Sequence, residues 1–186
     1  MPLGGLDPTA EARLNPTQRR LARELSEIAG RFFLTVDSIV EQDPASWTPR
    51  LRLAKDQLVR SQVIMSYTLV DELLNGRIAV YFFGHRRSFP QLWRTKRFTV
   101  FNHHVLEELS LLKKLRLVQA IAKVPGPIVA DIGRLNALRN GLAHAFFPEN
   151  LKSAKPQWKG KSIYSTEAIE RFAQDMGNVF EYFFPG

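Results

Sequence analysis

The fold is decided by residues 125–147, PGPIVADIGRLNALRNGLAHAFF. The stretch opens on a Pro-Gly-Pro turn, and Pro127 suits the first position of a helix, where a missing backbone N–H is not needed. Apolar residues then recur at intervals typical of one helix face: Ile128, Ile132, Leu135, Leu142 and Phe146. Pro148 cannot continue such a helix. The stretch therefore predicts a helix from Pro127 to about Phe147.

Outward from this stretch, the same periodicity predicts four more helices, at about 17–42, 51–83, 99–123 and 165–183. The second is long, is ended by Gly84, and has an expected buried side at Leu58, Met65, Leu69, Leu73 and Val80. Short connections favour an all-α antiparallel bundle of about five helices. No alternating strand is evident, and only residues 162–164 suggest a short extended piece. Residues 1–16 are expected to form a flexible leader, and 17–186 a single domain.

Composition excludes several classes of protein. The chain has 186 residues, of which 45% are hydrophobic and none is cysteine. Disulfides, thiolate metal sites and cysteine nucleophiles are therefore excluded, which fits a reducing cytoplasm. The N-terminus lacks the apolar core of a signal peptide, and no stretch approaches about 18 uninterrupted apolar residues. We therefore expect a cytoplasmic protein with no membrane partner.

The net charge of +8 is clustered. Residues 85–98 contain five cations and no acid, and residues 151–165 contain four lysines and no acid. Clustered cations attract polyanions such as nucleic acid, although the alternative is that they only keep the protein dissolved. Single-stranded RNA is the expected ligand of the first cluster, by charge and stacking, through Arg86, Arg87, Trp93, Arg94 and Lys96. Trp93 as an ordinary core residue is the alternative.

Arg139 interrupts the apolar stripe of the 127–147 helix. Desolvating a guanidinium without a partner costs several kcal/mol. We therefore expect Arg139 to have a carboxylate partner, to reach a cleft or to face a polyanion. Asp71 and Glu72, midway along the long helix, are the expected partners, with Asp71 the first choice. The alternative is that both carboxylates face solvent.

A second face of this helix carries small residues, Ala130, Gly133, Ala137 and Gly141, and ends with Asn140 and His144. Each glycine inside a helix costs about 1 kcal/mol relative to alanine. Close approach of another backbone would offset that cost, from the long helix or from a second copy of the chain. Asn140 and His144 are four residues apart, so the amide can orient the imidazole. A purely structural interpretation also stands, in which His144 contacts the last carbonyls and Arg139 belongs to a buried ion pair.

The hexapeptide Arg139-Asn140-Gly141-Leu142-Ala143-His144 resembles the signature of the HEPN superfamily, helical domains that carry arginine, four to six residues, and then histidine. The similarity of architecture covers residues 17–184, with a long helix before the motif and an amphipathic helix after it. Arg97 also fits the pattern, with five residues before His103 and six before His104, but Phe98 stands where the motif has a polar residue. We therefore take the motif at Arg139 as the relevant one.

Active members of the superfamily are metal-independent endoribonucleases. The resemblance implies that His144 acts as general base on the ribose 2′-hydroxyl or as general acid on the leaving 5′-oxygen. Arg139 would hold the scissile phosphate, and Asn140 would orient the imidazole or bind phosphate. Because one histidine cannot serve as base and acid at once, a symmetric homodimer is expected. No cofactor or metal is expected, since no histidine has metal-ligand spacing with a carboxylate.

One departure concerns regulation. In toxins of this superfamily that are silenced by a nucleotidyltransferase antitoxin, a tyrosine stands two residues after the histidine; here the residue is Phe146. Silencing by that modification is not expected, whereas inhibition by an antitoxin or another regulatory protein remains open. The alternatives to a toxin or defence ribonuclease are a non-catalytic module that binds nucleotide, RNA or protein, and a purely structural helical domain.

Overall fold

The computed structural model describes residues 49–84, 94–144 and 156–183. It contains five α-helices in these ranges: α1 (Pro49–Phe83), α2 (Lys96–Phe101), α3 (Leu111–Ile121), α4 (Gly126–His144) and α5 (Thr166–Phe183). A π-helical turn (Asn102–Leu106) continues α2, and a hairpin of two short strands, β1 (Gln157–Trp158) and β2 (Lys161–Ser162), precedes α5. The predicted all-α class is confirmed. The expected leader and the expected helix at 17–42 lie outside the described residues.

The chain divides into two compact units, residues 1–62 with 185–186, and residues 63–184. In the first unit the structure describes the beginning of α1, where Lys55 and Val59 are buried. The second unit contains the rest of α1, the other helices and the hairpin. The candidate site residues that the structure describes all belong to the second unit.

α1 corresponds to the predicted long helix and ends where the sequence predicts. Gly84 adopts a φ of 79°, in the left-handed region, and its backbone N–H donates to the Val80 carbonyl at 2.8 Å. Glycine takes this conformation without a Cβ penalty, so it terminates the helix.

The buried side of α1 is a correction to the sequence analysis. Met65 is exposed, and the expected Leu58, Leu69, Leu73 and Val80 are only half-buried. The fully buried apolar residues of the second unit's part of α1 lie one or two positions from the expected ones: Val63, Val70, Leu74, Ile78 and Ala79. Ser66 and Asn75 are buried between them. The buried face of α1 therefore includes polar residues. A search for regularly spaced apolar residues then selects the adjacent, half-buried face instead of the buried one.

The predicted helix at 99–123 is interrupted. The Glu107 backbone N–H donates to the Asn102 carbonyl at 3.0 Å, five residues back, and Ser110 is extended before α3 begins. Leu106 and Leu111 are both completely buried. In one continuous helix they would point about 140° apart at 100° per residue. The interruption therefore allows both leucines to enter the core.

The core of the second unit is centred on α4, which packs against α3, α5 and β1. Trp158 of β1 is buried, contacts the Phe172 ring at a centroid distance of 5.0 Å, and donates from Nε1 to Asp175 at 2.7 Å. The turn between the strands places Lys159 at a φ of 47° and Gly160 at 86°. The extended piece that the sequence suggests at 162–164 is observed only as β2.

α5 begins and ends close to the predicted positions. The Ser165 hydroxyl accepts from the Ala168 backbone N–H at 3.4 Å, at the start of the helix. Its buried side is formed by Ala168, Ile169, Phe172, Met176, Val179 and Phe183. Across the described ranges, no helix has the length and apolar character needed to span a bilayer.

Candidate active site on helix α4

α4 buries one face and leaves Arg139 exposed at its edge. Its buried residues are Ile128, Asp131, Ile132, Leu135, Leu138 and Leu142. Arg139 faces α1, as the apolar stripe predicts, but its side chain reaches solvent. An exposed Arg139 is compatible with the expectation that it reaches a cleft or faces a polyanion, which stays a prediction. Leu138 occupies the buried position beside it, and a long arginine side chain can extend past the edge of the interface.

The guanidinium of Arg139 is held by an aromatic ring. Its Cζ lies 5.2 Å from the centroid of the Tyr67 ring on α1. Its Nη1 also donates to the Asn140 side-chain oxygen at 3.3 Å. The arginine head therefore turns along the helix surface towards Asn140. Apart from the bond to Asn140, no described residue accepts from this guanidinium, so further N–H donors are available to a ligand.

The expected partnership between Asp71 and Arg139 is not observed. The two carboxylate oxygens of Asp71 accept from Lys114 Nζ of α3 at 2.8 and 2.6 Å. Lys114 is buried to 3% exposure, so it requires the carboxylate more than an exposed arginine does. Among the described residues, no ion pair joins Arg139 to a carboxylate.

Glu72, the second expected partner, is exposed. Desolvation, with a smaller contribution from neighbouring Asp71, raises the pKa of the Glu72 carboxyl above its usual range. The Asn75 side chain, one turn further along α1, is buried and donates to Asp71 at 3.5 Å, while its Oδ1 has no partner. Glu72 and Asn75 therefore lie beside the Asp71–Lys114 ion pair and do not contact Arg139.

Tyr67 is the site residue that sequence reasoning missed. Burial raises the pKa of its hydroxyl, Asp71 adds to the effect, and Arg139 opposes it, so the phenol stays protonated at neutral pH. Within a periodic apolar helix, a tyrosine is indistinguishable from an ordinary core aromatic. Its spacing of one turn before Asp71 was the one available signal, because residues four apart share a helix face.

The small-residue face of α4 has free space beside it as far as the described residues reach. No atom of those residues lies within 4 Å of a Cβ built on Gly133 or Gly141, and Ala130, Ala137 and Asn140 are exposed. The long helix therefore does not offset the cost of these glycines by close approach. Of the two explanations that the sequence offers, approach by a second copy remains as a prediction.

Several predicted site residues are only partly described. His144 is the last residue of α4, and its side chain lies outside the described part of the structure. Arg86, Arg87 and Trp93 also lie outside it. Arg94 and Lys96 are described and exposed near the start of α2. In the second basic cluster, Lys159 binds Asp175 at 2.6 Å and Lys161 pairs with Glu167, which reduces the cationic surface there.

The alternative arginine, Arg97, is also exposed beside an aromatic ring, but buried Phe98 follows it where Asn140 follows Arg139. Arg97 lies over the Phe83 ring, with its Cζ 5.3 Å from the centroid. His103 Nδ1 instead contacts Glu107 at 3.0 Å within one turn. In the part of the chain that the structure describes, no three His, Asp, Glu or Cys side chains are grouped as metal ligands.

The site thus combines an exposed guanidinium on an aromatic ring, an adjacent amide and, one turn further along α4, the backbone position of a histidine. Arg139 and Asn140 can together bind an anionic group. Comparison of the chain with protein-family models, curated proteins and solved structures finds no match.

Proposed function

We propose that this chain is a metal-independent endoribonuclease of the toxin or defence type, acting in the cytoplasm. The observation that carries the proposal is the state of Arg139: exposed, stacked on Tyr67 and turned towards Asn140, with no carboxylate partner among the described residues. A guanidinium held in this way retains donors for a phosphate. The resemblance of residues 139–144 to the HEPN signature supplies the reaction.

In this reaction the imidazole of His144 removes the proton from the ribose 2′-hydroxyl, and the 2′-oxygen attacks the adjacent phosphorus. The bond from phosphorus to the 5′-oxygen breaks, and that oxygen takes a proton from an acid. The products carry a 2′,3′-cyclic phosphate and a 5′-hydroxyl. Arg139 stabilises the charge that develops on the phosphorane-like transition state. An imidazole with a free pKa of about 6.5 suits either proton transfer.

The proposed active form is a homodimer in which two α4 helices approach through their small-residue faces. The free space that the described residues leave beside Gly133 and Gly141 supports this contact. Two copies bring two histidines to one composite site, one as base and one as acid. An antitoxin or another regulatory protein is the further partner that a toxin of this type requires.

The decisive experiment measures cleavage of a labelled RNA in EDTA by the parent, His144→Ala and Arg139→Ala. We expect metal-free cleavage by the parent, with cyclic-phosphate ends, and loss of at least about a hundredfold in each variant. Arg116→Ala removes an exposed arginine from α3 and is the matched control. Cleavage that persists in His144→Ala would overturn the proposal. Binding without cleavage by the parent would assign the site to a non-catalytic module.

The composite site has its own test. Parent and His144→Ala are mixed and allowed to exchange subunits, with Arg116→Ala in place of His144→Ala as the control. Excess His144→Ala is expected to suppress cleavage by the parent, because a mixed dimer holds one histidine and lacks either the base or the acid. A monomer in sedimentation experiments that still cleaves RNA would contradict the dimer.

A further inference from the structure

The C-terminal end of α1 presents an exposed aromatic surface, formed by Tyr81, Phe82, Val100 and Phe101. Tyr81 is 61% exposed, Phe82 47% and Val100 49%. The Tyr81 and Phe82 rings meet edge to face at 5.2 Å, and Phe82 lies 5.6 Å from Phe101 of α2. Single exposed apolar residues are ordinary, but a contiguous group marks a binding surface.

The aromatic surface rests on a packed base. Phe83 contacts Phe98 at 5.4 Å and Phe101 at 5.2 Å between ring centroids, and Phe98 is completely buried with Ala79. These contacts join α1 to α2 and restrain the rings above them. Because the rings are restrained before a ligand arrives, less conformational entropy is lost on binding.

The chemistry around the aromatic surface is cationic. The Arg97 guanidinium lies over Phe83 at 5.3 Å and is exposed, as are Arg94 and Lys96. The sequence from Arg94 to Leu106 contains no acidic residue. A ligand that complements this surface therefore has flat apolar faces and repeated negative charge.

We propose that the aromatic surface binds single-stranded RNA, with bases stacked on Tyr81 and Phe82 and phosphates bound by Arg97 and Lys96. The identity of the polyanion as RNA rests on the proposed function. The unpaired state follows from the exposed rings, since the bases of a duplex are stacked on each other and are not available to side chains. The surface thereby selects unpaired substrate for the site at Arg139.

The distance along α1 between the aromatic surface and the site at Arg139 sets a minimum length for an RNA that contacts both. Tyr67 and Tyr81 are 14 residues apart, close to four helical turns, so they lie on similar sides of α1 about 21 Å apart. A strand stacked at about 3.4 Å per nucleotide covers this distance with about six nucleotides. Oligonucleotides shorter than this cannot contact both places while stacked.

Binding is measured by fluorescence anisotropy with a labelled 12-nucleotide oligouridine carrying 2′-O-methyl groups, which removes the nucleophile and prevents cleavage. The double variant Tyr81→Ala/Phe82→Ala is expected to bind about tenfold or more weakly, whereas Tyr81→Phe retains the parent affinity. Arg97→Gln should weaken binding and reduce the salt dependence by about one phosphate contact. Ile64→Ala/Met65→Ala, which removes exposed apolar residues elsewhere on α1, is the matched control.

Parent-like binding by the Tyr81/Phe82 double variant would overturn the proposal, provided that circular dichroism shows the parent fold. Competition by a duplex of equal length as strongly as by the single strand would also overturn it. A change in sedimentation of the same variant without RNA would assign the surface to protein association instead. The binding assay does not depend on cleavage, because the probe cannot be cleaved. If the parent binds this probe but cleaves no RNA in the activity assay, the nuclease proposal fails and the RNA-binding proposal stands.

Discussion

Two cations lie beside consecutive turns of α1, and one of them is buried in an ion pair while the other is exposed. Lys114 is buried and binds Asp71, with Nζ–oxygen distances of 2.6 and 2.8 Å. Arg139 is exposed and lies over the ring of Tyr67, one turn before Asp71. The Asp71 carboxylate thus pairs with the buried, desolvated cation, Lys114, and not with the exposed Arg139. Lys114 therefore contributes to the stability of the fold, whereas Arg139 remains able to bind an anion.

The difference follows from the hydration of the two groups. An ammonium is a compact, strongly hydrated charge, so burying it without a counter-ion is expensive. A guanidinium is more weakly hydrated and stacks on aromatic faces at little cost. A ring therefore suffices for the exposed arginine.

The largest expected effect on stability comes from removing the Asp71 carboxylate. Asp71→Ala leaves Lys114 buried and unpaired, and it should lower the free energy of unfolding by about 4 kcal/mol. Urea denaturation followed by circular dichroism measures the change. The double variant Asp71→Leu/Lys114→Met should recover most of the loss, because neither buried charge remains. A single variant as stable as the parent would show that Lys114 reaches water.

The neighbouring positions 138 and 139 on α4 give the next largest effect. Leu138 is 3% exposed, so Leu138→Ala should cost about 3 kcal/mol through lost burial and a residual cavity. Arg139→Ala should cost less than about 1 kcal/mol, since only an exposed cation–π contact is lost. The same denaturation curves test both. Equal destabilisation by the two changes would place Arg139 in the core after all.

The sequence predicts the helices best where a residue of special backbone chemistry ends them. Gly84 ends α1, Pro125 immediately precedes α4, and Ser165 accepts a hydrogen bond at the start of α5. The interruption between Asn102 and Ser110 has no such marker. It arises because Leu106 and Leu111 must both be buried, which depends on neighbours far away in sequence.

The spacing of Arg139, Asn140 and His144 selects them from the sequence, and their role in a site stays a prediction. The sequence does not decide whether Arg139 contacts Asp71 or Tyr67, because that depends on where Lys114 lies. That choice is a competition between two cations for one carboxylate. The burial of each cation decides it, and burial depends on tertiary packing.

A smaller effect is expected at Tyr67, on the exposed side of the comparison. Tyr67→Phe keeps the ring under Arg139 and should preserve kcat/KM for RNA within about twofold. Tyr67→Leu removes the cation–π contact and should lower kcat/KM by about twofold to fivefold, as expected for an exposed contact of about 0.5–1 kcal/mol. Steady-state cleavage assays measure the ratio. Should the phenylalanine and leucine variants behave alike, the ring would have no part in positioning Arg139.

The smallest effect concerns Glu72, next to the carboxylate that Lys114 binds. Desolvation raises the pKa of its carboxyl, and Asp71 and Glu107 add to this, so folding favours the protonated form. Its stabilising contribution is present at low pH and is lost as the pH rises above the usual glutamate pKa of about 4.3. Glu72→Gln should therefore match the parent near pH 3.5 and be slightly more stable at pH 7, by no more than about 0.5 kcal/mol. Denaturation curves across this pH range, with Glu170→Gln on α5 as the exposed control, measure the difference. A Glu72→Gln variant that is less stable than the parent at pH 7 would mean that Glu72 assists Asp71 in neutralising Lys114, and Lys114 would then share two carboxylates while Arg139 has none.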